Sequence, residues 1–270
     1  MGKKVGCIGD FEVSGLEYGI EILKKCEEVF LKKDIHRIVG PMNGNTWKKY
    51  RNQKFSNGEP LFLLENVNPE SDNEVFLKSG FYEVHTYTSN KGTVEDEYDS
   101  EILDIAETEI KSEGIEIRKF SKDNYLEDLK KIYNVSSKSF RRNPYYTPID
   151  EPEFIGQYEP YIQMIDDIFI LIAEKDGKEI GFVFCIPNFN EIKEGKNLET
   201  LILKKIAVLP EYEDLGLGNI LLRKISKKEK EKDFINWMFA FMYSNNTSQK
   251  MAKRNKEEII REYALYGKDI

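Results

Sequence analysis

Histidine is scarce in this 270-residue chain: there are two, His36 and His85, far apart in sequence. A zinc site needs three or four clustered nitrogen, sulfur or carboxylate ligands, so no metal is expected. Cysteine is nearly as rare, and Cys7, Cys26 and Cys185 form an odd, scattered set inside stretches that read as strand or helix. That pattern suits buried thiols in a reducing compartment rather than a disulfide framework. Apolar runs are short, none approaching the roughly 18 residues of a membrane span. The opening Met1-Gly2-Lys3-Lys4 leads into too brief an apolar stretch for a secretory signal. Gly6 stands where a myristoylation pattern wants Ser or Thr. Positive charge is in deficit: 40 Lys and Arg against 48 Asp and Glu leave a net charge of −8. Such a surface disfavours nonspecific nucleic-acid binding. The expectation is a cytoplasmic protein with neither a membrane nor a nucleic-acid partner.

What is present supports sizeable cores. Hydrophobic residues make up 40% of the chain and aromatics 12%, and the length allows about two compact units. One stretch organises the rest. Leu203 to Val208 reads as a buried strand, Leu209-Pro210 opens a short loop, and Gly216 and Gly218 lead into a helix. Leu217, Ile220, Leu221 and Ile225 recur at helical spacing. A helix start presents N–H groups without intrahelical partners, and with the helix dipole these suit a phosphate or pyrophosphate. Glycines there keep Cβ atoms out of the ligand's way. A Walker A loop is excluded, because no Gly-Lys-Ser/Thr follows. A dinucleotide fingerprint would need glycine where Leu221 stands. A tight structural turn alone would also account for Gly-x-Gly.

The whole stretch, with Val208, Pro210, Gly216 and Gly218 at matching positions, resembles the acetyl-CoA-binding motif of the GNAT (Gcn5-related) N-acetyltransferases. One position departs: Glu213 stands where that family usually has Arg or Gln. The resemblance implies an α+β fold, a mixed and mostly antiparallel sheet flanked by helices. It covers about 115–270 well and 5–88 partially. Residues 114–270 are expected to form a complete GNAT domain, ending in strand 234–243, helix 246–255 and strand 258–266. Residues 1–90 look like the back half of such a domain, degenerate and truncated. Asn45-Thr46 echoes Asn246-Thr247, but Val13 to Tyr18 lacks the paired glycines, so one acetyl-CoA is expected, at the second unit. An acidic linker or loose helix, 91–113, joins the two. The truncated sheet edge of the first unit needs cover from the second unit or another chain, which leaves a homodimer open.

Within the resemblance, the backbone of Ile206, Ala207 and Val208 would hold the pantetheine arm. Backbone N–H groups of Asp214, Leu215, Gly216, Leu217, Gly218 and Asn219 would take the pyrophosphate. Asn246 matches a family asparagine on the cofactor arm, although Asn245-Asn246-Thr247 also reads as a plain N-cap. Acetyl transfer to an amine needs an uncharged nitrogen, and an amine of pKa about 10 is protonated at neutral pH. The family's general-acid tyrosine would fall at position 253, which is Lys253. Tyr243 and Ser248 are substitutes by proximity, with Glu199 and Glu174 as candidate bases. Phe140 to Tyr161 is rich in aromatics and carries Asp150, Glu151, Glu153 and Glu159. It suits a cationic amine or, equally, ordinary helix packing. The expected function is N-acetyl transfer from acetyl-CoA, used as cosubstrate, to a primary amine of a small molecule or protein, by direct attack on the thioester. The alternative is a catalytically silent acyl-CoA-binding or scaffolding protein.

Overall fold

The computed structural model describes residues 4–93, 101–162, 165–230, 234–244 and 257–270. Two compact units emerge: residues 1–90 together with 241–270, and residues 91–240.

The first unit opens with β1 (Gly6–Cys7), α1 (Leu16–Leu31), β2 (Arg37–Gly40), β3 (Asn52–Ser56), α2 (Ser71–Lys78) and β4 (Tyr82–Thr93). The glycine-marked segment 15–19 is therefore mostly helix, not turn. Gly19 lies where α1 closes on α2, since a Cβ there would sit 2.6 Å from Val75 Cγ1. Leu23, Ile38, Val75, Phe76 and Phe81 pack between helices and sheet. Asn45 begins no helix: its side chain accepts a hydrogen bond from the Trp47 N–H in a turn. The echo of Asn246-Thr247 therefore ends there on this side, and its partner lies outside the described residues. Residues 46–69 read from sequence as a polar, aromatic-rich loop, but β3 lies within them.

The larger correction concerns the C-terminal strand, β10 (Glu258–Asp269). It was expected to complete the second unit, but it lies between β2 and β4 in the order β1-β2-β10-β4, and β3 also pairs with it. Its register is antiparallel, Tyr266 opposite Gly40 and Ala264 opposite Asn52. The reason is apolar on both faces. Ile260, Tyr263, Ala264, Leu265 and Tyr266 are all buried, and Tyr266 stacks on Phe76 with ring centroids 5.2 Å apart. Arg261 is buried too, its Nε 2.8 Å from Glu65 Oε1, with both side chains 1% exposed. Its guanidinium also donates to the carbonyls of Glu59 and Pro60. Tyr263 donates to the same carboxylate.

The second unit contains α3 (Glu101–Ser112), β5 (Ile115–Lys119), α4 (Tyr125–Ser139), α5 (Glu151–Ile162), β6 (Ile170–Lys175), β7 (Lys178–Pro187), α6 (Asn190–Lys193), β8 (Thr200–Val208), α7 (Leu217–Lys230) and β9 (Asn236–Tyr243), whose last three residues group with the first unit. Strands 5 to 8 form an antiparallel run, and β9 joins β8 in parallel. The β6–β7 hairpin turns at Asp176 and Gly177, both at positive φ, as the Asp-Gly signal predicts for a two-residue loop. Leu217, Ile220, Leu221, Leu222 and Ile225 are fully buried along α7, the face expected from their spacing.

Of the two readings of the acidic segment, linker or loose helix, the structure shows helix over Glu101–Ser112. On α3, Ile110 is buried, Asp104 bonds Arg223 of α7, and Glu107 accepts from Lys224 at 2.8 Å. Charge density hid an amphipathic helix whose acids face the basic side of α7.

Candidate functional site

The site builds from β8 upward. Thr200 to Leu203 pair in parallel with Asn236 to Phe239 of β9. Past Leu203, β8 runs on to Val208 in register with β7, Val208 opposite Gly181 and Lys205 opposite Phe184. The Leu209 N–H donates to the Ile180 carbonyl, and alternate residues of an antiparallel strand bond the same neighbour. Leu209, Ala207 and Lys205 therefore bond towards β7. Ile206 and Val208 turn their backbone groups the other way, past the last residue pair that β8 shares with β9. The Val208 carbonyl accepts from Ser139 Oγ at 2.9 Å, so Ile206 is the other of those sequence-expected positions whose peptide faces away from β7.

Beyond β8, Pro210–Leu215 form a 3-10 turn, and Gly216 takes the left-handed conformation, φ 66° and ψ 14°. Nothing lies within 4 Å of the place a Cβ would occupy at Gly216. The turn is thus open on its outer side, while Leu217 is buried and anchors the helix start. Asp214 is exposed; Leu215, Gly216, Gly218 and Asn219 are half-buried. Glu213 does not aim at this turn unopposed. Its Oε1 lies 2.7 Å from Arg142 Nη2, both side chains being about half exposed. Strand edge, open glycine turn and neutralised carboxylate together fit a pantetheine arm and a pyrophosphate.

The aromatic segment takes its place on one face of β7 and β8. Tyr158 of α5 meets Phe184 edge to face, centroids 5.6 Å apart, and Phe154 packs on Tyr158 and Tyr133. The cation in this aromatic wall is the chain's own. Lys205 Nζ lies 5.8, 5.7 and 5.2 Å from the ring centroids of Phe140, Phe154 and Tyr158. Burial, with Lys204 beside it, lowers its pKa to about 7. Burial also pushes the Tyr158 phenol up, so it stays neutral. Lys204 is the extra residue of a bulge, since pairing jumps from Phe184–Lys205 to Cys185–Leu203. Of the expected acidic edge, Asp150 caps α5 by accepting from the Glu153 N–H, and Glu159 accepts from the Tyr125 hydroxyl.

Of the four candidate acids and bases, Tyr243, Glu199 and Glu174 lie among the described residues. Tyr243 groups with the first unit, where its hydroxyl is 3.0 Å from His85 Nδ1. Burial, helped by the Arg37 charge, lowers the His85 pKa and keeps that ring neutral. Ser248 and Asn246 lie outside the described residues. Glu199 precedes β8 at its paired end, its N–H donating to Glu191, six residues from Lys205 or roughly 20 Å along an extended strand. Glu174 is committed elsewhere. Burial alone would raise its pKa, but hydrogen bonds from Arg118 and Lys131 outweigh that and hold it below the ordinary carboxyl value. Lys205 itself carried no role in the sequence. The signal was available: two adjacent lysines inside an apolar strand cannot both point to solvent when successive side chains alternate.

A mixed sheet whose two parallel strands stop pairing while both continue, ahead of a glycine turn and a helix, defines the acyl-CoA N-acyltransferase fold. Residues 166–255 match the acetyltransferase (GNAT) domain family. Over 110 residues the chain is 30% identical to an uncharacterized N-acetyltransferase of Archaeoglobus fulgidus, covering 41% of this chain and 70% of that protein. In fold it is similar to a GCN5-related N-acetyltransferase from Sphaerobacter thermophilus, with TM-score 0.55 and 12% identity, over 95% of this chain and 69% of the other. It is also similar to the GCN5-related glucosamine N-acetyltransferase region of a fungal multi-domain GH3 beta-N-acetylglucosaminidase, with TM-score 0.54 and 13% identity, over 92% of this chain and 27% of the other. The chain belongs to the GNAT family of acetyltransferases.

Proposed function

We propose that the chain transfers acetyl from acetyl-CoA to a primary amine, the nitrogen attacking the thioester directly. The observation that carries this reading is β8, which continues past its last β9-paired residue, Leu203, directly before the left-handed Gly216 turn. A strand edge with unshared peptide groups can hydrogen-bond an extended arm. N–H groups at the start of α7 can take its phosphates. Acetyl-CoA supplies the activated acyl group. The chain's part is to hold the carbonyl at the strand edge and to exclude water with the aromatic face of α5.

Gly216, Leu217 and Gly218, with the backbone of Asp214 and Leu215, are the proposed phosphate contacts; the Asn219 N–H, also expected there, instead donates to the Gly216 carbonyl at 3.0 Å. Ile206 is the proposed arm contact, with Ala207 and Val208 shaping the edge. The acceptor is a small-molecule or protein amine met in the cytoplasm, and the acidic net charge favours cationic ligands over nucleic acid. Thiol release from acetyl-CoA, measured across a panel of primary amines, tests the proposal. Turnover with at least one amine is expected. Tight binding of acetyl-CoA with no turnover on any amine would replace it with a silent acyl-CoA-binding role.

A further inference from the structure

We propose that Lys205 is the base that takes the proton from the incoming ammonium group. This rests on the acetyl-transfer reading and names the group that makes the acceptor nucleophilic. Three placements lead to it. Lys205 sits one residue before Ile206, whose peptide faces the strand gap, so it borders the position assigned to the reacting carbonyl. Its side chain lies on the face of β8 covered by α5, which is where an acceptor would enter over Phe154 and Tyr158. It is enclosed on several sides yet not sealed, since the residue is partly exposed.

The surroundings suit a lysine that changes charge. Phe140 from the turn after α4, Phe154 and Tyr158 from α5, and Phe184 across the strand pair present apolar surface, which favours the neutral amine. Of the groups on these elements, the Tyr158 phenol is held neutral by burial. Lys204, adjacent on β8, adds like charge that also favours the uncharged form. Once Lys205 has accepted a proton, the faces of three rings stabilise its ammonium through their quadrupoles. A carboxylate at this place would have no such partner.

The proton balance is simple. The ammonium R–NH3+ gives one proton to Lys205 Nζ, which becomes –NH3+. The nitrogen lone pair then forms the N–C bond to the thioester carbonyl carbon, and the C–S bond breaks with its electron pair on sulfur. The thiolate takes the second nitrogen proton, giving amide and free thiol, and Lys205 returns its proton to solvent.

Two measurements test this. In the ligand-free chain, the pH dependence of Lys205 acylation by trace acetic anhydride, read by mass spectrometry, should show a midpoint near neutral pH. Exposed lysines should titrate near 10.4. In Lys205→Met, which keeps an apolar stem for the aromatic wall, kcat/KM at pH 7 should fall by about 10²–10⁴-fold. The rate should climb steadily up to the acceptor's own pKa instead of levelling near 7, with acetyl-CoA affinity unchanged by titration calorimetry. Lys205→Arg, permanently charged, should show the same loss. A Lys205 midpoint above 9, or a Met variant with the parent's rate and profile, would overturn the base while leaving acetyl transfer intact. A parent enzyme that turned over no amine at any pH would overturn both.

Discussion

Glu65 and Arg261 are both 1% exposed and meet at 2.8 Å, yet the ion pair should contribute little beyond what a neutral amide supplies. Burial raises the Glu65 pKa, and the opposing pull of Arg261 and the hydrogen bond from Tyr263 do not cancel it. The desolvation cost of the carboxylate therefore exceeds its Coulombic gain. Glu65→Gln keeps an oxygen for Tyr263 and for the guanidinium, and should lower stability by under about 1 kcal/mol. Glu65→Leu is different. It leaves the Arg261 charge buried with only the Glu59, Pro60 and Ile260 carbonyls, and breaking a buried pair in this way costs about 3–5 kcal/mol.

The pH dependence fixes the sign. A carboxyl whose folded-state pKa is raised contributes its stability fully below the unfolded value, near 4.3. That contribution is lost as pH rises through the folded-state value. The parent should therefore lose stability relative to Glu65→Gln as pH rises above the ordinary carboxyl range. Urea denaturation of parent and both variants at several pH values measures this. If Gln costs as much as Leu, or if the parent gains on Gln as pH rises, then charge attraction dominates and the reasoning fails.

Three further outcomes follow from the geometry. Gly218→Asp places a carboxylate at the start of α7 and should weaken acetyl-CoA binding by about tenfold to a hundredfold, the equivalent of one charge-assisted hydrogen bond; unchanged affinity in calorimetry would move the phosphates elsewhere. Glu213→Ala releases Arg142 from an exposed pair worth about 0–1 kcal/mol and removes a negative charge beside the turn. Acetyl-CoA should then bind equally or up to about fivefold more tightly at low salt, whereas weaker binding would show that Glu213 helps the site. A fragment of residues 91–270 should aggregate and melt below the full chain, because β10 loses β2 and β3; identical solubility and melting would show that β10 does not need those strands.

The parts legible in the sequence were those set by local pattern. The α7 face, the Asp176-Gly177 hairpin and the strand-turn-helix order from Leu203 to Leu222 follow from periodicity and turn chemistry, and the structure keeps them. What stayed hidden depends on tertiary choice. The β10 strand has two apolar faces and could pair in either unit, so its alternation alone could not say which. For α3, the apolar stripe was buried in acids that only the lysine and arginine of α7 explain. Glu213 looked like a defect until Arg142 stood beside it, seventy-odd positions away in the chain. Lys205 was read as part of a strand because its aromatic partners come from the turn after α4 and from α5.

The ownership of β10 has a consequence for how this protein is made. The ribosome delivers residues 1–90 first, but their sheet lacks its inner strand until residues 258–269 emerge. At ~5–20 residues per second, the wait is of order 10 s. Throughout that time the facing edges of β2 and β4, with the apolar surface around Phe76, lie open to other chains. The second unit suffers no such delay, since residues 91–240 are contiguous and can close as soon as they appear. Premature stops within residues 258–269 should be lost to proteolysis rather than yield a shortened enzyme.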